Sequence, residues 1–533
     1  MFVDHSLLRR GALEDRAYQR HIAETCLQRS TLVILPTGMG KTAIAVRVLA
    51  ETLRTKGGKV LFLAPTKPLV EQHATYVRAT TVLEDVAVFT GELPPEDREL
   101  AWRGAKLVAS TPQVIENDLR AGRLDLSAVT LCVFDEAHRA IGDYAYVDVA
   151  REYGGLVLAM TASPGSSAEK IIEVCTNLKI PVGNWEIRIP TDPDVVDYTH
   201  DIAYERLTVD VPADARPVIA LLRAVYDTHV DDMKRRGWIT APRPTMRDLL
   251  ALGTATRQRL DSGDKDPSLY QILSKQAMAV KVNHAVELAE TQGLAAVKTY
   301  LERLERDRTT RANRTLLKDK RLLEALALLD KPTGEHPKVA AALRVVGEQF
   351  ARKPDSRVIV FAHYRDTVDM LTERLTAAPG VRPARFVGQA ARVEAAGLTQ
   401  KEQVALLDQF RAGAVNTLVS TSIGEEGLDV PETDLVVFYE PVPSEIRTIQ
   451  RRGRTGRVRA GRMVLLVTRD TRDEAYMYSA RRKEKRMHEE LARLRATLKQ
   501  MTLDRVPRTP EETPDPEGHP KKGGQASLGD FPG

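Results

Sequence analysis

The stretch that constrains this chain most is the apolar run TLVIL followed directly by PTGMGKT, with Leu35 where the first glycine of the usual pattern would stand. A strand that ends in a glycine-containing turn and continues into a helix is the pattern of a phosphate-binding loop. Gly38 and Gly40 leave the backbone N–H groups open to phosphate oxygens. Lys41 can reach the β and γ phosphates, and Thr42 can hold Mg²⁺. The stretch therefore predicts a site for a nucleoside triphosphate. The alternative interpretation is an ordinary strand-to-helix connection.

Two carboxylates follow a second apolar run in the same part of the chain. Between residues 43 and 150, helical stretches alternate with short β-rich runs, which predicts a parallel sheet whose ligands gather at the carboxyl ends of the strands. Asp135 and Glu136 come directly after the run LCVF, and two carboxylates at the mouth of a buried strand would be costly with nothing to bind. A metal–nucleotide site supplies the reason, because Asp135 can hold Mg²⁺ through water and Glu136 can orient and deprotonate the attacking water.

Residues 12–29 read as a helix that leads into the phosphate-binding stretch, with Arg16 and Gln19 on its first turns. Their position would let both flank the base of a bound nucleotide, and a glutamine amide can pair with the donor and acceptor of an adenine edge. An ordinary solvated helix face remains equally compatible with the sequence.

The composition is that of an ordinary globular protein of 533 residues, long enough for about three domains. A formal net charge of +5 fits a polyanionic partner. Cys26, Cys132 and Cys175 lie far apart without C-x-x-C spacing, which predicts buried reduced thiols rather than a disulfide frame or a zinc site. No apolar run is long enough to span a bilayer, and the N-terminus is charged where a signal peptide would be apolar. We therefore expect no membrane association and a cytoplasmic, nucleoid-associated location.

Eight sequence blocks together resemble the complete motif set of a superfamily 2 helicase of the DEAH/DExH type. In chain order they are PTGMGKT, APTKPLVEQH, STPQVIENDL, DEAH, TAS, VIVFAH, STSIGEEGLDVP and QRRGRTGR. Within that superfamily, PTKPLVEQH, DEAHRAIGDYAYV and TASPGSSAEKI are similar to the archaeal Hef helicase and its eukaryotic relatives FANCM and Mph1. The resemblance covers residues from about 12 to 490.

The resemblance implies a role for each matching residue. Contacts with ATP and Mg²⁺ are implied for Arg16, Gln19, Thr37, Gly38, Gly40, Lys41, Thr42, Asp135, Gly427 and Asp429. Catalytic roles are implied for Lys41, Asp135, Glu136, Gln450, Arg454 and Arg457, the last three facing the γ-phosphate from the second lobe. Contacts with the nucleic-acid backbone are implied for Thr66, Lys67, Thr111, Pro112, Ser420 and Thr421. A link between hydrolysis and strand movement is implied for His138, Thr161 and Ser163.

The predicted fold is α/β, with two RecA-like parallel-sheet lobes at 1–200 and 341–498, an all-helical insertion at 201–340 and a flexible tail at 499–533. The insertion carries a basic cluster formed by Arg306, Arg311, Arg314 and Lys318. A solvated helix face would explain these charges, and so would a surface that binds phosphates. Because an insertion at this place in Hef-like proteins resembles a thumb that engages forked or crossed DNA, we favour the second interpretation.

The last 35 residues are rich in Pro, Gly and charge, which predicts a segment without a core of its own. Gln525, Leu528 and Phe531 fit the pattern of a peptide that docks on the sliding clamp PCNA, although Pro532 stands where a second aromatic residue is usual. The acidic cluster of the Hef nuclease is not found after Arg495. We therefore expect a helicase-only form, partnered by a separate structure-specific nuclease.

These patterns predict an ATP-driven motor. The resemblance implies that it moves 3′ to 5′ and acts on forked or branched DNA in repair and replication-fork processing. One alternative is an ATPase dependent on double-stranded RNA, because Dicer-like and RIG-I-like helicases share the branch. Their second motif usually reads DECH, whereas this chain has DEAH. A second alternative is a clamp-tethered scaffold that binds ATP without hydrolysing it, against which Glu136, Gln450, Arg454 and Arg457 argue.

Overall fold

The structure is a computed structural model of the whole chain. It describes residues 2–35, 38–162, 168–189, 192–198, 203–242, 244–307, 309–331, 334–388, 397–421, 433–441 and 461–505.

The N-terminal lobe is a seven-stranded parallel sheet with helices between its strands. The strands are β1 Thr31–Ile34, β2 Lys59–Leu63, β3 Val86–Phe89, β4 Leu107–Ser110, β5 Val129–Phe134, β6 Leu156–Thr161 and β7 Trp185–Ile187. Their order across the sheet is β3-β4-β2-β5-β6-β1-β7. The helices are α1 Ala17–Gln28, α2 Lys41–Lys56, α3 Lys67–Thr80, α4 Pro95–Gly104, α5 Pro112–Arg120, α6 Ala145–Glu152 and α7 Ala168–Asn177, with 3₁₀ turns at Ala137–Arg139 and Val196–Tyr198.

Both faces of this sheet are buried, because helices cover each of them. Along β2, Leu61 and Leu63 pack into one core cluster, whereas Val60 and Phe62 pack into the other. Near-continuous apolar strands are what a parallel sheet covered on both sides requires. The free thiols of Cys26, Cys132 and Cys175 are buried in these cores, as predicted.

The C-terminal lobe contains a second parallel sheet, of six strands within the described residues. Its elements are β8 Ala203–Val209, α14 Pro337–Arg352, β9 Val358–Phe361, α15 Arg365–Thr376, β10 Pro383–Phe386, α16 Gln400–Ala412, β11 Thr417–Ser420, β12 Leu435–Phe438, β13 Arg462–Thr468 and α17 Arg472–Arg505. The strand order is β10-β11-β9-β12-β13-β8. Thr399 and Glu402 form a capping box at the start of α16, which fixes where that helix begins.

A bundle of helices lies between the two lobes in the chain. It comprises α8 Ala215–Arg235, α9 Met246–Asp261, α10 Pro267–Thr291, α11 Leu294–Arg306, α12 Arg311–Leu316 and α13 Lys320–Leu329. Its core includes Leu222, Val282 and Leu301, which belong to three different helices of the bundle. The bundle also contacts the C-terminal lobe, where Thr367 donates a hydrogen bond to Gln292 at 2.7 Å.

The predicted fold class is confirmed, while two boundaries differ from the prediction. Strand β8 lies inside the range 201–340 assigned to the insertion, yet it pairs with β13 and belongs to the C-terminal sheet. At the other end, α17 continues to Arg505, past the predicted start of the tail at residue 499. Residues 506–533, including the proposed docking peptide, lie outside the described residues.

Candidate nucleotide and nucleic-acid site

The phosphate-binding loop lies between β1 and α2, at the carboxyl edge of the N-terminal sheet. Gly38 and Gly40 have φ angles of 86° and 78°, a left-handed conformation that favours glycine. A Cβ atom on Gly40 would lie 2.4 Å from Nε2 of Gln19, so that buried amide would have to move to admit a side chain. Lys41 begins the 16-residue helix α2, whose N-terminal N–H groups and partial charge suit an anion.

Two side chains of α1 form hydrogen bonds with the backbone of the phosphate-binding loop. The Tyr18 hydroxyl donates to the carbonyl of Met39 at 2.7 Å, and the Gln19 amide donates to the same carbonyl at 3.1 Å. Tyr18 was not singled out from the sequence, because a buried tyrosine near an apolar helix face has no distinctive pattern. The adenine-reading role of Gln19 stays a prediction, and in this structure its amide fixes the loop.

Arg16 lies at the N-terminal end of α1, at the surface. Its guanidinium pairs with Glu14 at 2.7 Å and lies 4.9 Å from the ring centroid of Tyr198. Tyr198 belongs to the segment that leaves the N-terminal lobe, and its ring also lies 5.4 Å from that of Tyr18. A flat guanidinium on an aromatic face is the kind of surface on which a nucleobase stacks.

A methyl group on Gly40 tests how tightly the loop is built. We expect Gly40→Ala to weaken ATP binding by about tenfold or more, because an L residue with φ near 78° costs about 1–2 kcal/mol and its Cβ would displace the amide of Gln19. Titration with a fluorescent ATP analogue measures the change. Gly142→Ala, at a glycine with φ 57° and open space around its Cβ, is the matched control for backbone strain alone. Equal affinities for the two variants would show that the contact with Gln19 is unimportant.

Asp135 and Glu136 follow β5 at the same edge of the sheet. Asp135 is 6% exposed, and its Oδ2 accepts a hydrogen bond from Nε2 of His73 at 2.8 Å. Burial alone would raise the pKa of Asp135, but the hydrogen bond from His73 and the charge of Lys41 outweigh burial and lower that pKa below its usual value. The hydroxyl of Tyr146 donates to the Asp135 carbonyl at 2.6 Å, which anchors the backbone. The carboxylate is therefore ionised and fixed in place.

Glu136 has a left-handed backbone with φ 48° and ψ 47°, which is uncommon for a residue with a side chain and typical of functional sites. Its carboxylate lies 3.3 Å from Nδ1 of His138. The same nitrogen lies 3.1 Å from Oγ1 of Thr161, at the end of β6. The structure thus brings together Glu136, to which the sequence analysis assigns hydrolysis, and His138 and Thr161, for which the resemblance implies coupling to strand movement.

The predicted backbone-binding residues lie at the carboxyl ends of strands in both lobes. Thr66 and Thr111 are the N-caps of α3 and α5, and Pro112 is the first residue of α5. Ser420 ends β11, and Thr421 follows it. The hydroxyl oxygens of Thr66 and Thr421 have no hydrogen-bond partner within the described residues, so each retains bonding capacity.

Lys67 differs from this pattern, because carboxylates already surround it. Its Nζ lies 2.5 Å from Glu92 and 3.6 Å from Glu71. A phosphate would have to displace Glu92, whose side chain is 71% exposed and costs little to move. Contact between Lys67 and nucleic acid stays a prediction.

The basic cluster of the insertion is at the surface, around α12. Arg306, Arg311, Arg314 and Lys318 are all exposed. In the part of the chain that the structure describes, none of the four forms an ion pair. Neighbouring cations differ, since Lys298 pairs with Asp330 and Arg303 pairs with Asp366. The unpaired charges leave this surface open to an anionic partner.

Several predicted residues fall outside the described residues and stay predictions. They are Thr37, Ser163, Gly427, Asp429, Gln450, Arg454, Arg457, Gln525, Leu528 and Phe531.

The residues that are described fit an ATP–magnesium pair. The loop offers backbone N–H groups to phosphates, while Thr42 and Asp135 supply the oxygen atoms that Mg²⁺ prefers. Among the described residues no group of three or more His, Cys, Asp or Glu side chains forms a metal cage.

Three family models match the chain, one for each domain of the fold. The model described as DEAD/DEAH box helicase matches residues 16–171, and the helicase conserved C-terminal domain matches residues 338–459. Between them, the helical-bundle model provisionally assigned to ATP-dependent RNA helicases matches residues 216–336. No helix within the described residues is both long enough and apolar enough to cross a membrane.

The chain is similar to curated archaeal and eukaryotic proteins. Protein MJ1505 of Methanocaldococcus jannaschii, provisionally named an ATP-dependent RNA helicase, is 38% identical over 91% of this chain and 62% of its own length. The ATP-dependent DNA helicase mph1 of Neurospora crassa is 33% identical over 86% of this chain and 41% of its own length. The DEAD-box ATP-dependent DNA helicase Fancm of Drosophila melanogaster is 33% identical over 88% of this chain and 34% of its own length. The chain thus spans less than two thirds of each of these relatives.

A solved structure is also similar, namely the crystal structure of the Pyrococcus furiosus Hef helicase domain. It is 44% identical in sequence and superimposes with a TM-score of 0.68. The match covers 89% of this chain and all of the solved chain.

Proposed function

Because the chain belongs to the superfamily 2 helicases, in the branch of Hef, FANCM and Mph1, we propose that it is an ATP-driven DNA motor for forked or branched DNA. Its helicase domains and relatives support ATP-dependent helicase activity in general. The proposal goes further in assigning movement from 3′ to 5′, a role in repair and replication-fork processing, and work at the nucleoid. The names of the Mph1 and Fancm relatives, both DNA helicases, support DNA as the track.

The observation that carries the proposal is the set of contacts joining Glu136, His138 and Thr161. A motor must pass the change at its hydrolysis site to the surface that holds the strand. His138 contacts the carboxylate of Glu136 and the hydroxyl of Thr161 through one nitrogen, so it joins the hydrolysis site to the end of β6. Thr161 is the last residue of β6, at the sheet edge where the predicted nucleic-acid contacts lie. A change at the hydrolysis site would therefore reach the nucleic-acid surface over a short distance.

In the proposal, different residues of the chain carry out different parts of ATP hydrolysis. The loop N–H groups and Lys41 bind the phosphates, and Asp135 and Thr42 would hold the Mg²⁺, which when bound neutralises phosphate charge. Glu136 accepts the proton of the attacking water. In the proposal, Gln450, Arg454 and Arg457 complete the site from the second lobe when the cleft closes, since a guanidinium fork suits the dispersed charge of phosphoryl transfer.

A second candidate track is double-stranded RNA. The provisional name of the Methanocaldococcus relative and the helical-bundle model both refer to RNA helicases. The DEAH form of the second motif favours DNA, because Dicer-like and RIG-I-like proteins usually carry DECH at that place. DNA therefore remains the first proposal.

One experiment separates the two tracks. ATPase turnover is measured with single-stranded DNA, forked DNA, a four-way junction and double-stranded RNA, first alone and then in competition. We expect the largest stimulation from forked DNA or the junction, and we expect RNA to compete poorly. Maximal stimulation by double-stranded RNA would replace DNA as the proposed track.

The insertion supplies a separate prediction. We expect a variant with alanine at Arg306, Arg311, Arg314 and Lys318 to bind the junction more weakly. The slope of log K against log salt concentration should become shallower by about 0.9 for each phosphate that the protein no longer neutralises. Fluorescence anisotropy at several salt concentrations measures both quantities, while ATPase without DNA should be unchanged.

The control for the insertion variant uses cations of the same region that carboxylates already neutralise. Lys298 pairs with Asp330 at 2.9 Å, and Arg303 pairs with Asp366 at 3.1 Å. The variant with alanine at both should leave the salt slope nearly unchanged. If instead the fourfold variant keeps the parental slope, Arg306 and its neighbours are an ordinary solvated face.

The partners named from the sequence remain part of the proposal. A tail that carries Gln525, Leu528 and Phe531 would tether the motor to PCNA, because a short peptide on a long linker raises the local concentration at a fork. A separate structure-specific nuclease would cut the branches that the motor exposes.

A further inference from the structure

His73 lies on the buried side of α3, and the motif assignments do not use it. The residue is 4% exposed, and its Nε2 lies 2.8 Å from Oδ2 of Asp135, the carboxylate that the site offers to Mg²⁺. The ring of Phe62, on the adjacent strand β2, lies 4.5 Å from the imidazole at an interplanar angle of 30°. Phe62 thus packs against the face of the imidazole, while Asp135 accepts a hydrogen bond at its edge.

The geometry shows which ring nitrogen donates to Asp135. An ionised carboxylate only accepts hydrogen bonds, so the nitrogen facing Asp135 is Nε2–H. Nδ1 is buried and has no hydrogen-bond partner within the described residues. Within the described residues, the one polar contact of the ring is therefore the hydrogen bond to Asp135.

The same helix begins at the predicted nucleic-acid path. Thr66 is the N-cap of α3 and Lys67 is its first residue. His73 lies six residues further on, which is ~9 Å along a helix axis. One short rigid element therefore connects the expected position of the DNA backbone with the metal-binding carboxylate.

We infer that His73 is a positioning residue that orients Asp135 and couples DNA binding at the start of α3 to magnesium binding at the hydrolysis site. The inference rests on the proposed function, because it needs a motor whose ATPase responds to DNA. A hydrogen bond weakens steeply once its distance or angle departs from the optimum. Strand binding that displaces α3 by less than 1 Å moves the donor by about a quarter to a third of the length of a hydrogen bond. The hydrogen bond from His73 to Asp135 then changes in strength, and so does the hold on the Asp135 carboxylate.

Four variants test this role. His73→Phe keeps an aromatic ring against Phe62 but removes the donor, and His73→Ala removes both. His73→Gln restores a donor N–H of similar reach. Thr75→Ala is the matched control, because Thr75 is on the exposed side of the same helix.

Each variant is assayed in three ways. ATPase is titrated with Mg²⁺ in the presence and absence of forked DNA, a fluorescent ATP analogue is titrated with Mg²⁺ and with EDTA, and DNA affinity is measured without nucleotide. We expect His73→Phe and His73→Ala to need about 10- to 100-fold more Mg²⁺ and to lose most of the stimulation by DNA, as loss of a group that orients a metal ligand does. His73→Gln should recover most of both. Nucleotide binding in EDTA and DNA binding without nucleotide should match the parent for all variants.

A parental Mg²⁺ requirement and parental stimulation in His73→Phe would overturn the inference. Equal loss of nucleotide binding in Mg²⁺ and in EDTA would also overturn it, because the histidine would then only support the fold. If the parent itself shows no stimulation by DNA, the proposed function fails instead, and the Mg²⁺ titration of unstimulated ATPase still decides whether His73 orients Asp135.

Discussion

Glu136→Gln binds ATP with parental affinity and hydrolyses it about 10²- to 10⁴-fold more slowly, if Glu136 is the general base. Glutamine has the size of glutamate but cannot accept the proton of the attacking water. Its carbonyl oxygen can still lie near His138, so the contact of that histidine with Thr161 should survive. Lys41→Ala should behave in the opposite way, because removing the phosphate-binding charge weakens ATP binding directly.

The measurements are single-turnover hydrolysis and equilibrium binding of a fluorescent ATP analogue, both with forked DNA at saturation. Glu152→Gln, at an exposed glutamate of the same lobe, is the control for the loss of one negative charge. Because Glu136→Gln stalls after binding ATP, it should hold DNA at least as tightly as the parent in the presence of nucleotide. Near-parental hydrolysis by Glu136→Gln would remove Glu136 from its assigned role.

The parts of the fold that the sequence predicts well are those encoded locally. The phosphate-binding loop is such a part, because glycines at positive φ and an apolar strand before them leave a pattern that few other structures share. The strand before Asp135 is another, because a sheet covered on both faces needs a continuous apolar run. The strand and helix that flank the loop, and the strand before Asp135, therefore lie where the sequence predicts them.

Strand β8 shows what local patterns do not contain. Its sequence AYERLTV mixes polar and apolar residues, and β13 begins more than 250 residues later in the chain. Pairing of this kind depends on tertiary context more than on intrinsic preference. The contact between His73 and Asp135 was missed for the same reason, since a histidine on a helix gives no sign of which strand end it will meet. Gln19 was singled out as a nucleotide contact, and only packing reveals its hydrogen bond to the loop.

The buried ion pair between Lys338 and Asp473 is where we expect the largest loss of stability. Their side chains are 0% and 1% exposed, and the two groups are in direct contact. Asp473 also accepts a hydrogen bond from the backbone N–H of Thr468 at 2.9 Å. Lys338 lies 5.3 Å from the ring centroid of Tyr439 and donates to the carbonyl of Thr291, at the end of α10. The pair thus fastens α14, α17 and the helical insertion at one point.

Asp473→Ala should lower the free energy of unfolding of the C-terminal lobe by about 3–5 kcal/mol, because it leaves the Lys338 ammonium buried without its counter-charge. Native-state hydrogen exchange at the amides of α14 and β13 measures the loss. Exchange in the core strands of the N-terminal lobe should be unaffected, because that lobe has its own core. Glu489→Ala is the control on the same helix, since its ion pair with Lys485 is exposed and should contribute nothing measurable.

A double variant separates the cost of an orphaned charge from the value of the pair itself. Two buried charges give up their hydration on folding, so replacing both by apolar side chains of similar volume costs much less than removing one. Lys338→Met combined with Asp473→Leu should therefore recover most of the stability that Asp473→Ala removes. It should not restore the hydrogen bond from Lys338 to Thr291, so exchange at the end of α10 should stay faster than in the parent. If the double variant is as unstable as Asp473→Ala, the ion pair stabilises the lobe through its own attraction, and the desolvation argument is wrong for this site.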